Sequence, residues 1–294
     1  MWAWLTEPLS LTIHQKTLLA CLLIGFTNGF TSAFIVLRKS ALKVGSLSHT
    51  LLPGIALAIL VTGGLTWTNA FLGALFAALL VGLGSLAVER SSRLDQETAL
   101  AVFYTAAFSG GIVMLNSMQV PQALEHWLFG NISLVADADL WIAYGISVVA
   151  LLALTLLQRP ITIMLFEPNV AASLGVPVRW LSFLLFALVI IVLISSLQAV
   201  GCILALGLLV APAAIVYFFT DHTQALFWLG GLVGAAGASS SVFLAYWIGW
   251  PHGPTIVLVL GGWFVLAYLL SPKYGLWKRF LAPRHRHGGK VVSQ

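Results

Sequence analysis

Apolar residues run along this chain in long blocks, not at the one-face spacing of a surface helix. The stretch from Ile142 to Leu157 is apolar all round, which suits a helix surrounded by hydrocarbon or protein on every side. Crossing about 30 Å of hydrocarbon takes roughly 20 helical residues. Blocks of that length recur at roughly 13–36, 48–64, 68–88, 98–116, 138–157, 179–197, 199–219, 224–248 and 254–270. They predict an all-α polytopic membrane protein of about nine transmembrane helices, with eight as the alternative count. A signal peptide does not account for blocks that recur. A β-barrel needs strands of about 10 residues that alternate apolar and polar positions, and the blocks do not alternate.

Between the blocks, the charges set an orientation. Lys and Arg are retained on the cytoplasmic side of short loops. With the N-terminus outside, 13 of the 14 basic residues fall on the cytoplasmic side and only Lys16 lies near the outer face. The outer loops hold Glu7, Glu125, Asp137 and Asp139. The net charge of +5 is therefore a topology signal and gives no reason to expect nucleic acid as a partner. Composition agrees: 60% hydrophobic residues, 8% charged residues and a mean hydropathy of +1.00 leave too little polar surface to cover a soluble globule. The chain reads as one membrane domain, residues 1–271, followed by a basic cytoplasmic tail, 272–294. Its location is a bacterial-type plasma (inner) membrane, crossed many times.

Candidate chemistry narrows the function mainly by what is missing. No GxxxxGK[ST] stretch occurs, so any ATP must be hydrolysed by a partner. All nine acidic residues lie in loops or at helix ends, whereas a proton-coupled carrier is expected to hold a carboxylate inside the membrane. A secondary transporter of a small cation or solute stays open as the alternative, since sodium can be held by backbone carbonyls. A scaffold subunit of another complex is a third reading. Ser48 and His49 adjoin, but neighbours on a helix point about 100° apart and do not form a dyad by themselves. Cys21 and Cys202 lie in predicted spans without paired spacing, as small buried side chains do. Gly25 with Gly29, and Gly230 with Gly234, have the spacing that lets membrane helices approach closely.

The cytoplasmic connector between the fifth and sixth spans carries Phe166-Glu167-Pro168-Asn169-Val170-Ala171-Ala172-Ser173-Leu174-Gly175-Val176-Pro177. Pro168 suits a first helical position and Gly175 a C-terminal cap, so a short rigid helix is predicted there. It is either a docking knob or a plain amphipathic connector.

Several separated stretches together resemble the permeases of the zinc, manganese and chelated-iron ABC importers, from about Phe34 to about Leu270. These are Leu37-Arg38-Lys39 with Leu47-Ser48-His49 and Leu52-Pro53-Gly54-Ile55-Ala56; Leu128-Phe129-Gly130-Asn131-Ile132; the connector; Gln198-Ala199-Val200-Gly201 leading to Leu209-Val210-Ala211-Pro212-Ala213-Ala214; and Gly253-Pro254-Thr255-Ile256-Val257. The resemblance implies a transport subunit, not an enzyme, with no permanently bound cofactor and a divalent metal ion as cargo. It implies as partners an ATP-binding-cassette ATPase, an extracytoplasmic metal-binding protein and a second permease, either a copy in a homodimer or a paralogue. By the same resemblance the connector is the coupling helix to the ATPase, with Glu167, Pro168, Ala171, Leu174 and Gly175 among its residues, and the second span bears on the metal path.

One departure from the family pattern bears on that path. The family usually carries an aspartate four residues before the histidine of the Ser-His stretch, and here that position is Gly45. His49 alone is a poor ligand for manganese and a better transient contact for zinc, which is the metal expected on this ground, with manganese or iron as alternatives. Its structural reading is a hydrogen-bonded residue on an apolar helix. Glu125, His126 and His252 lie on the outer face, where a delivering protein would dock, or are plain loop residues. Arg284-His285-Arg286-His287 in the tail has the composition of a metal-binding tract, and its basic residues also suit anionic membrane lipid. Pro53 with Gly54, and Pro212, are the expected points of bending or breakage along the path.

Overall fold

The computed structural model describes residues 12–64, 66–117, 137–197, 201 and 205–272. Among them no strand occurs, and eleven helices follow in order: α1 Thr12–Leu37, α2 Ala41–Thr62, α3 Trp67–Ser91, α4 Gln96–Ser117, α5 Asp137–Leu156, α6 Gln158–Phe166, α7 Pro168–Ser173, α8 Val178–Ser195, α9 Ala205–Tyr217, α10 Thr223–Ile248 and α11 His252–Leu270. Seven of these, α1, α2, α3, α4, α8, α10 and α11, are each long and apolar enough to cross a membrane. The count is eight if α5 and α6, bent by 61° at their junction, form one span. Within the expected seventh span only the 13-residue helix α9 is described, about 20 Å long.

Helix α3 buries small residues and exposes large ones, the reverse of a soluble amphipathic helix. On α3, Leu72, Phe76, Leu80 and Leu83 are exposed along one face, while Ala70, Ala74, Ala78 and Ser85 are buried on the other. Lipid is as apolar as leucine, so it is close backbone approach that draws these helices together. The closest approaches are between glycines. A Cβ on Gly25 would stand 2.6 Å from the Gly234 carbonyl oxygen, and Gly29 meets Gly230 in the same way. Gly54 of α2 meets Gly73 of α3 likewise. The α1–α10 pair is the most extensive contact among the described helices and runs antiparallel, since 25 faces 234 and 29 faces 230.

Helix α1 is the central post. Its rings Phe30 and Phe34 pack on Phe227 of α10, with centroids 5.3 and 4.4 Å apart. Thr27, Thr31 and Ser32 are also buried there, each donating its hydroxyl to a carbonyl three or four residues back, so their polarity stays inside the helix.

The expected breaks do not occur. α2 runs without interruption through Pro53, and α9 through Pro212. In α9 a side chain makes up for the disturbed backbone bonding: the Ala213 N–H, next to Pro212, donates to Ser32 Oγ of α1 at 3.0 Å. In α2, Pro53 is wedged against Gly111 of α4, whose absent Cβ would lie 2.8 Å from the Pro53 Cα, and Gly54 packs on α3. The two residues fasten helices to one another. α2 also begins earlier than the 48–64 block, at Ala41, because a lysine near a helix end can extend its ammonium to the interface without interrupting the helix.

Candidate functional site

Two regions bring together the residues singled out by sequence, one inside the membrane domain and one at its connector end.

His49 lies half-buried in the middle of α2. Its ring stacks on Tyr104, with centroids 5.8 Å apart and planes at 28°, and meets Phe108 edge-on at 5.9 Å, both rings belonging to α4. Neither contact was legible in sequence, because nothing there indicates which face of α4 meets α2. The preceding residue is turned elsewhere: Ser48 is buried and donates its hydroxyl to the Gly45 carbonyl at 2.7 Å, so no serine–histidine dyad forms. Pro53 stands four residues after His49 and has no N–H, so the His49 carbonyl lacks its usual intrahelical donor. One turn of α2 thus offers an imidazole and a released carbonyl oxygen. At Gly45 the position of a side chain is taken up by Leu206 of α9, whose Cδ2 lies 2.9 Å from where a Cβ would sit. Among the described residues no three His, Cys, Asp or Glu side chains gather as a metal cluster.

The connector is more structured than its polar sequence suggests. α6 fills its first half with Ile161 and Met164 buried, and Ser182 Oγ of α8 hydrogen-bonds Met164 Sδ at 3.3 Å. α7 then begins at Pro168, as the sequence predicts, with Glu167 at its N-cap making no side-chain cap hydrogen bond. Its end is a Schellman closure: Gly175 N–H donates to Ala172 O at 3.1 Å and Val176 N–H to Ala171 O at 3.0 Å, with Gly175 at φ 81°. Ala171 is fully buried in the main core cluster, whereas Phe166, Val170 and Leu174 are 55%, 46% and 66% exposed. Val170 and Leu174 stand one turn apart at the exposed side of α7, and Phe166 closes α6 on the other side of the break at Glu167.

The other candidates are dispersed. His252 opens α11 and is half-buried. Glu125, His126, Cys202 and the histidines of the tail lie outside the described residues.

Comparison with known proteins agrees with this architecture. The model of the family described as "ABC 3 transport family" matches residues 10–271. The chain is 33% identical over 275 residues to the manganese transport system membrane protein MntC of Halalkalibacterium halodurans, covering 93% of this chain and 92% of that protein. It is 28% identical over 271 residues to a probable iron transport system membrane protein of Haemophilus influenzae, covering 92% and 98%. Among solved structures, PsaBC from Streptococcus pneumoniae in complex with Fab superposes with a TM-score of 0.84 at 27% identity, covering 96% of this chain and 100% of that one.

Proposed function

The chain belongs to the ABC 3 transport family, and from that premise we propose that it is the permease through which an ATP-driven importer passes a divalent transition metal ion, manganese first and iron second. It is a transport subunit, and ATP is hydrolysed by a separate protein. The zinc preference expected from a lone imidazole gives way. The relatives reported above carry manganese and iron in their names, and the carbonyl oxygen released by Pro53 adds the harder ligand that those ions accept. A transient contact of imidazole and carbonyl, lined by Tyr104 and Phe108, holds the ion only weakly, as passage requires. A second copy of the chain supplies the other wall of the path, and an extracytoplasmic binding protein delivers the ion.

The observation that carries this reading is the exposure of Phe166, Val170 and Leu174 at α7 and the end of α6. Three large apolar side chains exposed on the connector favour a protein partner on that face, and the ATPase is the partner the family supplies. Force applied to α7 reaches the bundle through buried Ala171 and along α6, which is bent 61° from α5 and bonded to α8.

The antiparallel run of α1 and α10 excludes eight crossings and fits nine, or seven if neither α5 with α6 nor α9 crosses. If α5 with α6 crosses and α9 does not, α10 is the seventh crossing and runs parallel to α1. If α9 also crosses, α10 is the eighth and runs antiparallel, as the Gly25–Gly234 and Gly29–Gly230 contacts require. An odd number of crossings puts the two ends on opposite sides, and the basic residues favour the tail inside.

Leu174→Asp tests the docking role. The variant chain accumulates in the membrane, but its ATPase no longer co-purifies and metal uptake is lost. Unchanged co-purification and uptake refute the coupling assignment. Competition among manganese, iron and zinc for wild-type uptake settles the cargo.

A further inference from the structure

The turn from α1 to α2 joins two apolar spans through Arg38, Lys39 and Ser40, so it lies where hydrocarbon gives way to lipid headgroups. It is a tight turn. Lys39 N–H donates to Val36 O at 3.1 Å and Ser40 N–H to Ile35 O at 3.0 Å, a closure that places Lys39 at φ 54°, where glycine is the usual residue. The backbone accepts this strain while presenting cations.

Below the turn is a cavity of about 60 Å³ between α1, α2, α3, α4 and α8. Phe34, Leu47, Leu185 and Val189 form its apolar floor, and Arg38 and Lys43 lie at its rim. Lys43 is held in place: its Nζ donates to Gln96 Oε1 at 3.1 Å and stands 3.9 Å from the Glu97 carboxylate. The Arg38 backbone N–H donates to Phe34 O at 3.0 Å, but its guanidinium makes no hydrogen bond or ion pair among the described residues. Although Arg38 is exposed over the residue as a whole, desolvation lowers the pKa of its guanidinium below the ordinary arginine value. A partly desolvated guanidinium with no counter-charge among the described residues, at the rim of a cavity, makes a receptor for an anion.

We propose that this rim and cavity form a binding site for an anionic phospholipid, with the phosphate on Arg38 and Lys43 and the first methylenes of an acyl chain against the apolar floor. A free phosphate satisfies the rim alone and leaves the apolar floor without an occupant. A phospholipid satisfies both, and the bilayer supplies it at this depth. Arg38 suits a phosphate because its planar fork donates two parallel hydrogen bonds, with Lys43 acting as a point charge beside it. Glu97 offsets part of the Lys43 charge, so Arg38 dominates.

The test is native mass spectrometry of the purified full chain in neutral detergent, offered phosphatidylglycerol and phosphatidylcholine of matched chain length. The wild type retains phosphatidylglycerol in preference. Arg38→Gln lowers that occupancy by about fivefold, the effect of one cation near a membrane surface. Arg38→Lys keeps an intermediate occupancy, and Arg159→Gln, on the connector outside the cavity, leaves it unchanged. Equal retention of both lipids by the wild type overturns the proposal, as does unchanged retention by Arg38→Gln. Displacement of the lipid by millimolar inorganic phosphate also overturns it and reassigns the rim to a free anion. If Arg38→Gln does not accumulate, the wild-type preference and the loss in Lys43→Gln decide.

Discussion

His49 combines two roles that a substitution can separate. Its ring packs on Tyr104 and Phe108, and aromatic contacts of that kind contribute about 0.5–1.5 kcal/mol beyond the area they bury. His49→Ala therefore lowers thermal stability by about 1 kcal/mol, a loss too small to prevent accumulation. If the imidazole also touches the ion, uptake falls much further than the amount of protein does. Metal-dependent growth and uptake, normalised to expression, distinguish the two roles: wild-type uptake in His49→Ala leaves the ring a packing residue. Asp95, in the loop before α4, gives a pH signature of a different kind. Its carboxylate accepts from Thr98 Oγ1 at 2.6 Å and from the Thr98 N–H at 3.1 Å, and these bonds, the side-chain one first, hold its pKa below the ordinary value. A pKa lower in the folded than in the unfolded chain means that this stabilisation is complete above the unfolded value of about 4 and is lost as pH falls through the folded one. The wild type accordingly melts above Asp95→Asn at neutral pH, and the gap closes in acid. A gap that does not begin to narrow as pH falls below the unfolded value of about 4 contradicts the assignment.

At the scale of elements, the glycines divide by what lies opposite them. A Cβ on Gly234 would be driven into the Gly25 carbonyl, whereas one on Gly262, in the interior of α11, meets nothing within 4 Å. The same chemical change thus has opposite signs at the two positions. Gly234→Ala forces α1 and α10 apart and destabilises by about 1–3 kcal/mol, as overpacking does. Gly262→Ala removes backbone entropy from the unfolded chain and stabilises by up to about 1 kcal/mol. Thermal melting of the two variants side by side measures this, and equal shifts would remove the close-approach account of the α1–α10 pair. Sequence alone does not make this distinction, because all 27 glycines look alike until a neighbouring helix is in place.

For the whole molecule the central quantity is topology. Reporter fusions at Gln119, Gln158 and Gln294 are expected to read outside, inside and inside. Fusions at Gln198 and Asp221, which flank α9, are expected to read outside and inside. A matching pair at Gln198 and Asp221 removes α9 from the spans and the count of nine with it. An inverted reading at Gln158 puts Phe166, Val170 and Leu174 on the wrong side for an ATPase.

The sequence by itself determined the helical membrane class, the family pattern and the start and stop of α7. Each of these depends on residues near one another in the chain: the length of an apolar block, a proline at a first helical position, a glycine able to adopt a left-handed conformation. Only the tertiary structure decided that Pro212 is repaired by Ser32 from a helix 181 positions away, that Pro53 and Gly54 join three helices instead of breaking one, and that Leu206 fills the space beside Gly45. It also decided which rings line His49. The reason is that these helices are apolar on all sides. A soluble helix announces its buried face through amphipathic spacing, but a helix with lipid on one side and protein on the other is apolar toward both. Which face turns inward is then settled by where small residues and lone hydroxyls on different helices can meet.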